Sequence, residues 1–293
     1  MDVMENAAEL ALSSVRLRST ELSIPFSNLA SAFMLEEALS VIAGSCYSDH
    51  FILRNRSELS LSAYRVKVVH ELSFYYNGSF ALRDLATVVT RTLVREKNSG
   101  INWDMGLRMT EDGNARLLMK GELPGMRIPF EIILTPAPEE CPKKNEEFRF
   151  FFYPDRRFPC LVYPKEQLLI EALVEIIRKM ELITDFRAYD TAYLILSTEI
   201  LDGRHVREIL SAALFDTQLT IDQKRLNMLL NYRDYNYMKK KWKTYLRGTK
   251  KEGPAFENVM DLIGTFLTPL WDSISKDTVF FGDWMPDLKR FLL

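Results

Sequence analysis

The sequence has few cysteines and little net charge, and both shortages exclude classes of protein. Its three cysteines, Cys46, Cys141 and Cys160, occur without a C-x-x-C pair and without a nearby pair of histidines. This spacing favours neither a disulfide framework nor a zinc site. The formal net charge is −2 at pH 7. The chain as a whole therefore does not attract nucleic acid or anionic lipid, and any such binding requires a local basic patch.

Long hydrophobic runs and a leader-type N-terminus are also missing. No window of the sequence approaches the ~18 uninterrupted apolar residues that a membrane helix requires. Residues 1–19 open with acidic side chains and lack a positively charged start followed by an apolar block, which argues against a secretory signal. We therefore expect a soluble, cytoplasmic protein with no membrane partner.

The chain nevertheless has ample material for a core, since 47% of its residues are hydrophobic and 12% are aromatic. Residues 1–160 alternate predicted helices and strands, whereas residues 161–293 have nearly continuous helical periodicity. This order predicts an α+β domain followed by an α-helical bundle domain. The predicted strands cover residues 51–53, 66–76, 105–110, 115–120 and 127–134, and a charged, extended connection covers residues 139–158. The predicted helices cover residues 5–19, 25–44, 82–97, 168–180, 189–197, 205–215, 222–232, 235–246 and 256–275.

Residues 51–74 contain the most informative pattern of the chain. A short strand is followed by the turn Asn55-Arg56-Ser57, and a second strand carries Glu71 and Ser73. A polymerase-β-type nucleotidyltransferase has a Gly-Gly-Ser/Thr turn at the first place, because amides without side chains can approach phosphate closely. It has Asp-x-Asp at the second place, because period-2 geometry puts both carboxylates on one face to bind Mg²⁺. The segment resembles such a site with most of its reactive groups replaced.

Further segments agree with this interpretation in order and spacing. The helix with Leu35-Glu36-Glu37-Ala38-Leu39 precedes the first strand, as in one family of such proteins. Segments that resemble later parts of that family's sequence pattern lie, in the same order, at residues 127–132, 162–171, 189–190, 242, 255–259 and 266–270. Taken together, the chain resembles the AbiEii/AbiGii family of nucleotidyltransferase-like toxins, which belong to type IV toxin–antitoxin and abortive-infection (phage-defence) systems. The resemblance implies a polymerase-β-like mixed sheet, a C-terminal helical bundle, a cognate antitoxin, and NTP-dependent modification of an RNA or protein target.

The departures from the family pattern lie at the positions that bind phosphate and metal in the family. Arg54 stands in place of a Lys, Asn55 and Arg56 replace the two glycines, and Ser57 keeps the hydroxyl. We expect strain at the two former glycines, since positive φ is unfavourable for residues with a Cβ. These four residues are the nucleotide-binding positions that the resemblance implies.

The family's acidic and basic positions are altered as well. Glu71 and Ser73 replace Asp-x-Asp, and Ile133 stands at the third carboxylate, with Glu131 two residues away on the same strand face. Ala172 stands at a Lys position. The family's Tyr-Asp pair aligns with Tyr189 and Asp190, and the Asp before it aligns with Arg187 or, with a different gap, with Asp185. The candidate catalytic residues that the resemblance implies are therefore Ser57, Glu71, Ser73, Asp185 and Asp190.

Losing several carboxylates from one cooperative site removes the charge that aligns and neutralises phosphate. We therefore expect a catalytically degenerate protein, a pseudoenzyme without cofactors, that acts by binding a partner, nucleotide or RNA. The alternative is an active transferase that uses NTP and Mg²⁺. In that case Glu71 and Glu131 bind the metal, and Asp185 or Asp190 supplies a further carboxylate.

Two basic features have competing interpretations. Arg54 and Arg56 could bind phosphate without metal through bidentate contacts, or pair with nearby acids such as Glu58. A basic run around Trp242 could bind RNA through charge and stacking. On a helix, however, Trp242 recurs with Met238 and Leu246 at i, i+4 and i+8, which favours a core position with lysines on the solvated side. The lysines of this run are Lys239, Lys240, Lys241 and Lys243.

Overall fold

The computed structural model describes residues 3–95, 100–110, 113–149, 151–152, 155–249 and 252–292. The chain divides into two compact units, Met1–Pro164 and Lys165–Leu293. The sequence places the change of domain after residue 160, but the observed division lies after Pro164. The reason is that Leu161 and Val162 are in register with Ile52 and Leu53, so this segment belongs to the sheet of the first unit.

The first unit is a mixed sheet with helices, as predicted, but its sheet has seven described strands where the sequence predicts five. Its helices are α1 (Val3–Leu22), α2 (Phe26–Ala43), α3 (Leu61–Val66) and α4 (Leu82–Arg95). Its strands are β1 (Phe51–Leu53), β2 (Glu71–Tyr76), β3 (Asn102–Met109), β4 (Ala115–Leu123), β5 (Met126–Pro136), β6 (Lys144–Arg149) and β7 (Arg157–Val162). The strand order is β3-β4-β5-β2-β1-β7-β6, with parallel pairing between β2 and β5 and between β1 and β7.

One face of this sheet builds the core with the helices. Leu53, Phe74, Ile132 and Leu134 share a buried cluster with the side chains of α2. We call this the helix face, and we call the opposite one, which carries Glu71, Ser73 and Tyr75, the site face. Alternate residues of a strand point to opposite faces, so a strand can serve the core and the site at once.

Helix α2 is apolar on nearly all sides, which suits a helix enclosed in a core. By length and composition it is also apolar enough to cross a membrane, although 72% of its 18 residues are buried inside the protein. Two of the buried residues are Glu36 and Glu37.

Three local predictions for the first unit differ from the structure. Residues 66–70 are not strand: Val66 ends α3, which Ser60 caps by accepting the Ala63 N–H at 3.4 Å, and β2 begins only at Glu71. The predicted connection over residues 139–158 instead contains β6 and the start of β7, whose apolar side chains Phe148 and Cys160 enter the core. The helix predicted over residues 82–97 is observed to Arg95, and its last two positions lie outside the described residues.

The second unit is helical, as predicted, and has its own core. Its helices are α5 (Lys165–Lys179), α6 (Arg187–Thr198), α7 (Gly203–Asp216), α8 (Gln223–Asn231), α9 (Asn236–Gly248) and α10 (Phe256–Ser275). A hairpin of β8 (Asp283–Met285) and β9 (Arg290–Leu292), absent from the prediction, follows them. Trp284 anchors this hairpin, since it is fully buried and its Nε1 donates to the carbonyl of Leu196 at 2.8 Å.

Candidate functional site

The turn after β1 is held by the side chain of Asn55. Its Nδ2 donates to the carbonyl of Glu71 at 2.9 Å, and its Oδ1 accepts the N–H of Ser73 at 3.0 Å. One residue earlier, the N–H of Arg54 donates to the carbonyl of Ser73 at 2.7 Å. The Asn55 amide thus continues the hydrogen bonding of β1 with β2 and fastens the turn to the candidate catalytic strand.

The prediction of backbone strain in this turn is wrong. Asn55 has φ of −96°, and a 3₁₀ helix, Arg56–Glu58, follows it. Neither Asn55 nor Arg56 is among the described non-glycine residues with positive φ. Because the turn lies in a region that any residue adopts, it does not require glycine. Ser57 lies within the 3₁₀ helix, is 8% exposed, and accepts the hydroxyl of Ser60 on its carbonyl at 3.0 Å.

The two arginines of the turn contact opposite faces of the sheet. The guanidinium of Arg54 lies 4.2 Å from the ring centre of Tyr75 on the site face, and its Nε is buried without a hydrogen-bond partner. The guanidinium of Arg56 lies 4.8 Å from the ring centre of Phe148 on the helix face, and its Nε is 3.6 Å from Glu146. A single phosphate between both arginines is therefore not favoured by this geometry.

The ion pair with Glu58 that the sequence suggested for these arginines is replaced by other pairs. Arg56 pairs with Glu146, whereas Glu58 lies 3.2 Å from the ammonium group of Lys67. Lys67 is buried, so its charge needs this partner. Glu58 is thus engaged elsewhere.

The strands β2 and β5 bring the candidate carboxylate positions together. Glu71 is in register with Glu131, and Ser73 is in register with Ile133. Residues paired across adjacent strands share a face and lie roughly 5 Å apart. The two glutamates thus form one row of the site face, and Ser73 with Ile133 forms the next.

Arg116, which no local sequence pattern indicates, completes this region. It lies on β4 in register with Ile133, and its Nη1 is 3.0 Å from Oε2 of Glu131. The two side chains are 36% and 32% exposed. A cross-strand partner could be found only from the register of β4 with β5, which the sequence pattern does not give.

The donors present do not fit the metal pair of a nucleotidyltransferase site. Glu131 is engaged by Arg116, Ser73 offers a neutral hydroxyl, and Ile133 offers no ligand. Among the described residues, no group of three His, Cys, Asp or Glu side chains is placed to hold a metal ion. Mg²⁺ favours carboxylate oxygens, and the guanidinium of Arg116 repels a cation.

The remaining candidate residues lie in the second unit and have local partners. Oδ1 of Asp185 accepts the N–H of Arg187 at 2.9 Å at the start of α6. Oδ2 of Asp190 accepts the hydroxyl of Tyr245 at 3.0 Å, which joins α6 to α9. Ala172 is 6% exposed and belongs to the core of this unit.

The lysine run on α9 is partly committed to contacts within the protein. Lys239 lies 2.7 Å from Glu257, and Nζ of Lys241 donates to the carbonyl of Ile183 at 3.4 Å. Lys240 and Lys243 are exposed. The hydrogen bond from Lys239 also lowers the pKa of Glu257.

Trp242, between these lysines, is a core residue, as the helical spacing predicted. It is 2% exposed, and its Nε1 donates to the carbonyl of Pro254 at 2.9 Å. Its ring is therefore not available to stack on a base.

The mixed sheet and its helices form an α+β fold that is nucleotidyltransferase-like, as similar solved structures show. Among solved structures, this chain is similar to MenT4, a nucleotidyltransferase toxin from Mycobacterium tuberculosis H37Rv, with a TM-score of 0.55 and 11% identity over 92% of each chain. It is also similar to a putative nucleotidyltransferase from H. pylori, with a TM-score of 0.51 and 12% identity over 86% of this chain and 98% of that one.

A third similar structure is JHP933 from Helicobacter pylori, with a TM-score of 0.51 and 11% identity over 87% of this chain and 96% of that one. Neither a protein-family model nor a curated protein matches the sequence significantly. At identities of 11–12%, the structural similarity, with TM-scores of 0.51–0.55, establishes a shared fold.

Proposed function

We propose that this chain is a nucleotidyltransferase-fold, toxin-type protein of AbiEii ancestry that has lost transfer chemistry and acts by binding a partner, nucleotide or RNA. The observation that carries the proposal is the row of Ser73 and Ile133, where the transferase resemblance requires carboxylates. Phosphoryl transfer depends on carboxylate-bound metal to neutralise phosphate and align the attacking group. Neither side chain can supply that charge.

Two further contacts support this proposal. Asn55 fills the phosphate turn with a side chain that is hydrogen-bonded twice to β2. Glu131 is paired with Arg116, which makes it a poor metal ligand. Since such sites act as a unit, several simultaneous losses remove measurable activity.

The direct test is a transfer assay with labelled NTPs, Mg²⁺ or Mn²⁺, and total tRNA. We expect no incorporation above that of a heat-denatured sample, into either the RNA or the protein itself. Incorporation by the wild-type chain that disappears in Glu71→Ala would overturn the proposal.

One observation favours the alternative of an active transferase with an altered metal site. Glu71 and Glu131 face each other in register, so two carboxylates do share one row. In that case an NTP would stabilise the protein against heat only with Mg²⁺ present, and Glu71→Ala or Glu131→Ala would each remove the stabilisation. Asp185 or Asp190 would supply the further carboxylate.

A protein of this type would have a cognate antitoxin as its partner. The solved structure of MenT4 is that of a nucleotidyltransferase toxin, and by analogy we propose an antitoxin encoded beside this chain's gene. Co-expression of the neighbouring gene product with a tagged chain tests this. We expect the two to co-purify and the growth defect caused by the chain alone to be relieved.

A further inference from the structure

One register row of the first unit carries three arginines on the site face. The N–H of Arg54 donates to the carbonyl of Ser73. From Ser73 onward, each residue of the row is in register with the next one on the adjacent strand. Paired residues share a face, so the side chains of the whole row point to one side of the sheet. In spatial order the row is Arg54, Ser73, Ile133, Arg116 and Arg108.

The positive charge of this row is incompletely neutralised. Within the described part of the chain, Arg54 and Arg108 have no ion pair with an acidic side chain, and Arg116 has one, with Glu131. The buried Nε of Arg54 lacks a hydrogen-bond partner, which is unfavourable for a guanidinium donor. The ring of Tyr75 holds this guanidinium on the site face.

We propose that Arg54 and Arg116 bind a ligand with linked phosphates without any metal ion, their guanidinium groups taking the place of the divalent cation. This inference rests on the proposed function, since it replaces transfer at this face by binding. Guanidinium groups bind phosphate oxygens through paired, charge-assisted hydrogen bonds. Three strand spacings separate the backbones of the two arginines by roughly 14 Å, so a chain of phosphates suits them better than a single anion.

Two sources share this chemistry, a nucleoside triphosphate and single-stranded RNA. Calorimetric titration with ATP, inorganic triphosphate and a short single-stranded RNA separates them, each in EDTA and in Mg²⁺. We expect binding of at least one ligand in EDTA, weakened by added salt and not improved by Mg²⁺. Binding of triphosphate and ATP alike assigns the site to nucleotides, and binding of RNA alone assigns it to RNA; both outcomes support the proposal.

Variants then locate the site. We expect Arg54→Gln and Arg116→Gln each to weaken binding by at least about tenfold, because each removes charged hydrogen bonds to phosphate. The matched control is Arg127→Gln, which lies on the same face of β5, is 75% exposed and pairs with Glu122. It lies about 20 Å along the strand from Ile133 and should leave binding unchanged.

If Arg116→Gln unfolds the protein by leaving Glu131 unpaired, Arg54→Lys keeps the proposal testable. It retains the charge but loses the planar donor fork, so binding should weaken severalfold with the melting temperature preserved. Binding that requires Mg²⁺, binding unaffected by Arg54→Gln, or no binding of the three ligands would each overturn the inference. Incorporation of label in the transfer assay instead overturns the proposed function, so the two failures are distinguishable.

Discussion

At the scale of single residues, the buried carboxyl group of Glu36 makes the stability of the protein depend on pH. It lies on α2, is 1% exposed, and its Oε2 accepts the N–H of Phe151 at 3.0 Å. Burial raises the pKa of Glu36 to about 8, helped by the neighbouring Glu37 and opposed by the backbone N–H groups of Phe151 and Phe152 and by Arg56. Near neutral pH the carboxyl group is therefore protonated in the folded protein.

This burial predicts a stability that depends on pH. The folded protein holds the Glu36 proton up to about pH 8, whereas the unfolded chain releases it near the ordinary value of 4.5. The contribution is therefore full below pH 4.5 and is lost as the pH rises through 8. Urea unfolding at pH 5, 7 and 9 measures this dependence. As the pH rises, the free energy of unfolding of Glu36→Gln should fall less than that of the wild type.

The control for this experiment is Glu21→Gln on α1. Its carboxylate is 47% exposed and forms only a surface pair with Arg18, so its pH profile should follow that of the wild type. A wild-type profile that is flat between pH 5 and 9, or one that Glu36→Gln leaves unchanged, would contradict the assignment.

At the scale of elements, α9 presents its lysines unequally. Lys239 and Lys241 are bound to groups within the second unit, whereas Lys240 and Lys243 are exposed. If this helix binds RNA, it does so through charge rather than through stacking, since Trp242 is buried.

We expect the double variant Lys240→Gln/Lys243→Gln to weaken RNA binding. The slope of the logarithm of the binding constant against the logarithm of the salt concentration should fall by the contribution of about two phosphate contacts. Its melting temperature should stay that of the wild type, because exposed substitutions change stability little. Lys224→Gln/Lys276→Gln, two exposed lysines on or beside other helices of the same unit, is the control. Equal losses in both double variants would show that the effect is one of overall charge rather than of α9.

At the scale of the whole molecule, each unit encloses a core of its own, which is built from a separate set of buried side chains. Units with independent cores generally fold alone. We therefore expect residues 165–293, expressed separately, to give a helical circular dichroism spectrum and a cooperative thermal transition. Absence of a cooperative transition would show that the second unit needs the first one to fold.

The local sequence pattern predicts most of the helices and strands. Helical spacing predicted the helices of the second unit and the buried position of Trp242, and the turn and strand positions at Asn55, Glu71 and Ser73 were placed correctly. The strands β6 and β7 were missed because their alternation is weak and their charged residues resemble a connection. The short α3 was missed because six residues carry little periodic signal.

The sequence by itself determined that positions 73 and 133 carry a hydroxyl and an alkyl side chain, since no fold turns Ser73 or Ile133 into a carboxylate. Only the tertiary structure decided which groups surround these two positions. The bonds of Asn55 to β2, the pairing of Glu131 with Arg116 and the row of arginines all depend on strand register. Register joins residues far apart in the chain, and it is set by which faces become buried together, a property of the assembled sheet rather than of any one segment.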